Sequence, residues 1–234
     1  MQRLCAAGRE NGAIARGCRG VVPKYSAHMT SNRSVDFFDE QFRRQVRQRE
    51  LQLNPFEAAA LPHLSGQVLD FGCGLGNLAC AAARRGCRVL ALDASPTAIA
   101  HLRATAAAES LPIRAEQADL RTHALRDSFD AVVSIGLLMF FDCATAFTQL
   151  VQLRAHVKPG GIAVINVLVQ GTTFLDMFDA EAYCLFAADE LPRQFAGWET
   201  LSCDVQRYPA PGDTVKVFCT LMARKPGDMG APPA

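Results

Sequence analysis

The sequence has almost no net charge, and this argues against a first group of functions. It contains 24 Lys and Arg against 23 Asp and Glu, which leaves a formal charge of +1. Proteins that bind nucleic acid or anionic membranes usually concentrate positive charge on one surface. The balance gives no support for nucleic acid or membrane as a partner. We expect a small-molecule substrate, bound by a monomer or a weak homodimer.

The first 34 residues are poor in acidic side chains and contain no long apolar run. Glu10 is their only acid, and no run is long enough for the core of a signal peptide or for a membrane span. A transit peptide and a start assigned too far upstream of Met29 are alternatives. The absence of amphipathic periodicity favours a flexible leader over residues 1–34. By composition, residues 226–234 are predicted to be a disordered tail.

The nine cysteines lack the spacing of a disulfide framework or a metal site. Their number is odd, they are scattered, and they include no C-x-x-C pair and no neighbouring His at ligand spacing. We therefore expect no metal, reduced thiols and a cytoplasmic location. The alternative is capture of a soft metalloid such as arsenite, which needs several thiols to converge in space.

The most informative stretch is residues 68–77, Val-Leu-Asp-Phe-Gly-Cys-Gly-Leu-Gly-Asn. A short apolar strand runs into three glycines, whose lack of a Cβ permits positive φ and lets a ligand lie against the backbone. The helix that starts near Asn77 directs unpaired N–H groups toward that ligand. We predict a nucleotide-type binding loop formed by Gly72, Cys73, Gly74 and Gly76.

Two kinds of cofactor suit this loop. Gly74 to Ala79 satisfies the dinucleotide pattern G-x-G-x-x-G/A, and Asp93 follows at about the 20-residue distance of a ribose-binding acid. Asp70 and Gly72 extend the pattern to D-x-G-x-G-x-G, which resembles motif I of the class I methyltransferases that use S-adenosylmethionine (SAM). We favour SAM, and an NAD(P)-dependent oxidoreductase is the alternative.

From residue 67 onward, strand and helix patterns alternate, as is typical of a parallel sheet with right-handed crossovers. The length suits one domain, expected over residues 35–225. The fold class is therefore α/β, with a doubly wound, mostly parallel sheet. An amphipathic helix over residues 36–51 precedes the sheet and can cover a cofactor cleft as a lid. The strands are expected at residues 68–71, 87–93, 113–117, 129–135, 162–169 and 215–223, with a Lys-Pro-Gly-Gly turn before the fifth.

Acidic residues follow successive strands, at the edge where open sheets bind their ligands. Asp93 ends the second strand and is expected to accept hydrogen bonds from both ribose hydroxyls. Asp119, after the third strand, is expected to accept an adenine amino hydrogen while the backbone N–H of Leu120 donates to the ring. Asp70 is expected to order the glycine turn and to reach the methionine amino group through water. The other expected cofactor contacts are Ala94 and Ser134.

Residues 68–225 resemble the tellurite-resistance methyltransferases of the TehB type, a branch of the class I SAM-dependent enzymes. Besides the glycine stretch, the shared pieces are Leu-Met-Phe at 138–140, Lys-Pro-Gly-Gly at 158–161, Gly-Trp-Glu at 197–199 and Ala-Arg-Lys at 223–225. The resemblance implies a seven-stranded sheet with its last strand antiparallel and SAM in the cleft. It also implies a soft acceptor, such as a tellurium or selenium oxyanion.

The chain departs from that family between residues 170 and 188, the segment expected to face the methyl acceptor. This segment is largely apolar here. A hydrophobic thiol or a small organic metabolite therefore competes with an oxyanion as acceptor. Arg193 is the candidate acceptor contact, because a guanidinium holds an oxyanion well and the resemblance covers its helix. Methyl transfer depends mainly on positioning, and a thiolate needs no general base. A SAM-binding module without catalysis is the third hypothesis.

Overall fold

The structure is a computed structural model that describes residues 33–180 and 182–227. The expected leader and tail lie outside the described residues, apart from two residues at the inner end of each. Within the described ranges, none of the helices has the length and apolar character that a membrane crossing requires. The helices are α1 (Arg33–Gln48), α2 (Pro55–Ala60), α3 (Asn77–Arg84), α4 (Pro96–Ala108), α5 (Cys143–Ala155) and α6 (Glu190–Gln194). The strands are β1 (Gln67–Phe71), β2 (Arg88–Asp93), β3 (Ile113–Gln117), β4 (Phe129–Ile135), β5 (Val157–Leu168), β6 (Glu199–Ala210) and β7 (Thr214–Arg224).

The seven strands form one sheet in the order β3-β2-β1-β4-β5-β7-β6. Strands β1 to β5 pair in parallel, whereas β7 runs antiparallel to both β5 and β6. The expected α/β class, with a doubly wound, mostly parallel sheet and an antiparallel last strand, is confirmed. Strand order reverses between β1 and β4, and the carboxyl ends of these strands mark where such sheets bind ligands.

Helices cover both faces of the apolar sheet. Leu78 of α3 and Leu102 of α4 pack on one face, and Leu150 of α5 packs on the other. Successive residues of a strand point to opposite faces. Leu69 lies in the core under α5, so its neighbour Asp70 points to the side of α3 and α4.

Most strand boundaries lie within one residue of the expected ones, but the start of β5 differs by five residues. β5 begins at Val157 instead of Ile162, so the Lys-Pro-Gly-Gly stretch lies inside the strand rather than in a turn. Gly160 N donates to Lys225 O at 3.1 Å, and a Cβ on Gly161 would come within 2.8 Å of Asp130 O. The glycines therefore allow the close approach of neighbouring backbone, a use of glycine in strands that the local pattern does not distinguish from a turn.

Candidate functional site

The glycine turn connects β1 to α3 beside the end of β2. The φ angles of Gly72 and Gly74 are +89° and +51°, in the left-handed region that glycine adopts without strain. The N–H groups of Gly72 and Cys73 donate to Leu92 O at 2.8 and 3.0 Å, which joins the turn to β2. A Cβ on Gly74 would come within 3.2 Å of the Phe42 ring. The turn therefore lies directly beneath α1.

Asp93 connects the glycine turn to the start of α4. Its Oδ2 accepts from Gly74 N at 2.8 Å and its Oδ1 accepts from Ser95 N at 2.9 Å. Ser95 caps α4 by accepting from Ala98 N. Each carboxylate oxygen has a second lone pair, so Asp93 can hold the turn and still accept from a ribose hydroxyl.

Asp70 is a buried carboxyl whose Oδ2 has no hydrogen-bond partner within the described part of the chain. Burial, together with the negative charges of Glu57 and Asp93, raises the pKa of Asp70 to about 8. Burial also raises the pKa of Glu57. The region beside the glycine turn therefore concentrates carboxyl groups whose ionisation a bound cation would favour.

The other expected cofactor residues occupy different surroundings. Asp119 follows β3, and its carboxylate accepts from Arg121 Nε at 2.9 Å and Nη2 at 2.8 Å, which lowers the pKa of Asp119.

Ser134 follows Val133, the β4 partner of Asp70, so its side chain points to the opposite face of the sheet. Its Oγ is buried and has no partner among the residues described. The buried side chains of Cys73 and Leu120 belong to the two cores, and Ala94 is half-buried. The contacts proposed for these residues stay predictions.

Sequence reasoning missed Asp39, which fastens α1 to the site. Ser95 Oγ donates to Asp39 Oδ1 at 2.5 Å, Thr97 N donates to the same oxygen at 3.3 Å, and Arg43 Nη2 lies 2.7 Å from Oδ2. Although burial acts to raise it, these interactions lower the pKa of Asp39. Arg43 is therefore paired within its own helix. The i, i+4 spacing of Asp39 and Arg43 was the available signal.

Aromatic side chains from three separate segments meet at the carboxyl edge of the sheet. Ring centroids are 4.8 Å apart for Phe38 and Phe140, 5.0 Å for Phe140 and Phe178, and 4.8 Å for the stacked pair Phe178 and Tyr183. We call these four residues the aromatic wall. Lys216 of β7 lies beside the same cluster, with its Nζ 4.7 Å from the centre of the Phe174 ring. Burial lowers the pKa of Lys216.

A disulfide joins the apolar segment after β5 to the start of α5, between Cys143 and Cys184. The expectation that the thiols are reduced is wrong for this pair. The two cysteines are separated by 41 residues, and only the tertiary fold brings them together. Within the described residues, no group of three or more His, Cys, Asp and Glu is arranged to hold a metal ion.

Arg193 lies on α6 with its guanidinium engaged by carboxylates. Its Nη2 donates to Glu190 Oε2, and its Nε lies 3.6 Å from Asp189 Oδ2. The next residue, Gln194, accepts a hydrogen bond through its Oε1 from Arg154 Nη1 in the last turn of α5. The contacts of Arg193 do not join it to the glycine turn or the aromatic wall, and its role with the acceptor stays a prediction.

Known proteins share this arrangement. Residues 68–161 match a family model described as a methyltransferase domain. TehB of Haemophilus influenzae, a probable S-adenosyl-L-methionine-dependent methyltransferase, is 26% identical over 166 residues, which are 68% of this chain and 57% of TehB. The crystal structure of TehB from Haemophilus influenzae matches with a TM-score of 0.64 and 23% identity, covering 74% of this chain and 62% of that one. The chain carries a TehB-like class I methyltransferase domain.

A further relative of this chain has a different name. Hemagglutinin 1 of Eikenella corrodens is 30% identical over 171 residues, which are 69% of this chain and 55% of that protein. The chain thus spans little more than half the length of these two curated relatives. The name of TehB states a dependence on SAM, the cofactor expected from the glycine stretch of this chain.

The charges of the methyltransferase domain suit SAM. This cofactor carries a cationic sulfonium and an ammonium group, and the unpartnered carboxyl of Asp70 lies at the turn expected to receive them. A dinucleotide would instead bring a negatively charged pyrophosphate, which offers the buried carboxyls of Asp70 and Glu57 no opposite charge and would raise their pKa values further. The residues present therefore fit SAM better than NAD(P).

Proposed function

We propose that the chain transfers the methyl group of SAM to a small-molecule acceptor. The observation that carries this proposal is the buried, unpartnered carboxyl of Asp70 beside the glycine turn. SAM supplies an electrophilic methyl group on a sulfonium. Asp93 would orient the ribose through the carboxylate oxygens that also accept from Gly74 N and Ser95 N. Domain residues 35–225 would form the catalytic unit, with α1 as its lid.

The acceptor that the site supports best is a soft sulfur nucleophile. A compact oxyanion would have to lose its hydration against the aromatic wall, which is costly unless a cation replaces the water. Arg193, the cation nominated for an oxyanion, is already paired with Glu190 and Asp189. Lys216 supplies one half-buried positive charge beside aromatic rings, a setting that suits a thiolate on an apolar molecule. A tellurium or selenium oxyanion is the competing acceptor.

The chain would act chiefly by positioning a thiolate in line with the methyl–sulfur bond. The acceptor sulfur forms the new bond to carbon as the sulfonium bond breaks, and the electron pair of the broken bond stays on the departing neutral sulfur. Alignment of this kind is worth up to about 7 to 11 kcal/mol in favourable cases. Because charge is neutralised in the transition state, an apolar, closed site favours the step.

A cofactor comparison followed by a product assay tests the proposal. S-adenosylhomocysteine (SAH) should raise the melting temperature and NAD(P)H should not. The protein is then incubated with SAM and one acceptor at a time: thiophenol, tellurite or selenite. Mass spectrometry should detect the methylated thiol formed from thiophenol. Asp93→Asn should weaken SAH binding about tenfold or more, as expected for charge-assisted hydrogen bonds, whereas Asp204→Asn on the exposed edge strand β6 should bind normally.

The outcomes separate the competing functions. Stabilisation by NAD(P)H alone would establish the oxidoreductase alternative, and SAH binding without methylated product from any acceptor would favour a SAM-binding module. The cytoplasmic location and the monomer or weak homodimer rest on composition and stay predictions. The Cys143–Cys184 disulfide weighs against a reducing compartment, where such bonds are rare.

A further inference from the structure

A second buried polar group near the site has unused hydrogen-bonding capacity. Asn166 of β5 is fully buried, and its Nδ2 donates to Thr220 Oγ1 on β7 at 2.7 Å. Its Oδ1 has no hydrogen-bond partner in the described ranges 33–180 and 182–227. Buried amide oxygens are nearly always paired, so an unpaired one on the face of the sheet that carries the aromatic wall points to a ligand.

The sheet places Asn166 on the acceptor side. Its side chain alternates with that of Val167 and shares a face with Leu168, which packs in the cluster that contains the aromatic wall. On β7, Thr220 likewise shares a face with Phe218, a member of the same cluster. The carbonyl of Asn166 accepts from Gly136 N at 3.0 Å, immediately after β4.

We propose that Asn166 Oδ1 accepts a hydrogen bond from the methyl acceptor, and that this acceptor is an aromatic thiol carrying a separate N–H or O–H donor. The proposal rests on the proposed function and narrows its substrate class. The aromatic wall contacts the ring of the acceptor, and the Asn166–Thr220 pair contacts its donor group. Asn166 is thus a specificity-determining residue, and Thr220 fixes the orientation of its amide.

The chemistry of the pair selects a donor rather than another acceptor group. Because Nδ2 is committed to Thr220, the free end of the amide is a carbonyl oxygen, which can only accept. An aromatic thiol with a methyl group in place of the donor would leave this oxygen unpaired in the complex. Because this oxygen is already buried in the free protein, the preference arises from the hydrogen bond that only the donor-bearing acceptor gains.

The test measures binding of methylated product analogues in the presence of SAH, so that it does not depend on turnover. The probes are the para and meta isomers of (methylthio)aniline and of methyl tolyl sulfide. Each amino compound differs from its methyl counterpart only by an amino group in place of the ring methyl group. They carry no free thiol and cannot exchange with the Cys143–Cys184 disulfide. We expect the wild type to bind one amino isomer about fivefold more tightly than its methyl counterpart, within the range of one neutral hydrogen bond.

Two variants and a control test whether the Asn166–Thr220 pair causes the preference for the amino probe. Asn166→Leu should abolish it, and Thr220→Val should reduce it by releasing the amide. Gln149→Leu removes another buried amide, on α5 across the sheet, and should keep the wild-type preference. Equal affinity for amino and methyl probes in the wild type, absence of probe binding, or a preference that survives in Asn166→Leu would overturn the inference. Failure of SAH itself to bind would instead overturn the proposed function.

Discussion

Asp70 is the residue whose charge state we expect SAM binding to change. Its pKa is raised to about 8 by burial and by neighbouring carboxyls, whereas an unfolded Asp titrates near about 3.9. Between these values the folded protein keeps a proton that the unfolded chain has lost. The contribution of Asp70 to the stability of the free protein therefore decreases as the pH rises from about 4 to about 8.

A cation bound beside Asp70 favours the ionised carboxylate, so SAM binding at pH 7 should release about one proton. Isothermal calorimetry in two buffers of different ionisation enthalpy measures this number. Asp70→Asn should release none and should bind SAM more weakly, with an affinity that no longer increases between pH 6 and 8. Asp204→Asn is the control and should behave as wild type. The same proton release in Asp70→Asn would show that another group titrates.

Helix α1 lies over the glycine turn. It is held by one buried acid, Asp39, which accepts from Ser95 and Thr97 of α4, and by Phe42 above the glycine turn. Hydrogen bonds to a charged group are worth roughly 1.5 to 3 kcal/mol each. We propose that opening of α1 admits and releases the cofactor, and that Asp39 controls its rate.

Asp39→Ala should therefore speed SAM dissociation about tenfold or more, while the core keeps its stability because the sheet does not depend on this contact. Stopped-flow displacement by excess SAH measures the rate, and hydrogen exchange over α1 should become faster. Glu40→Ala is a matched control, because its exposed side chain lies on the same helix. An unchanged dissociation rate in Asp39→Ala would remove α1 from the release step.

At the scale of the whole molecule, the sequence predicted those structural features that depend on residues close together along the chain. The glycine stretch and Asp93 at the end of β2 each act on backbone within a few residues or on the adjacent strand, so their spacing was informative. The Asp39–Ser95 bond and the Cys143–Cys184 disulfide join residues 56 and 41 positions apart. Neither pairing has a sequence period, because each depends on how helices pack on a completed sheet.

The disulfide should act on the stability of the entire fold. It closes a loop across α5, β5 and the apolar segment after it, and removing such a constraint from the unfolded chain costs roughly 2 to 4 kcal/mol of stability. Denaturant unfolding of Cys143→Ser/Cys184→Ser should show this loss.

Cys203→Ser, which removes an exposed free thiol, should match the wild type in the same unfolding experiment. Peptide mapping without reductant should recover Cys143 and Cys184 in one linked fragment. If the fragments separate and the double variant is as stable as the wild type, the two thiols are free in solution. The acceptor side would then depend on packing of the aromatic wall alone, and reductant would leave acceptor affinity unchanged.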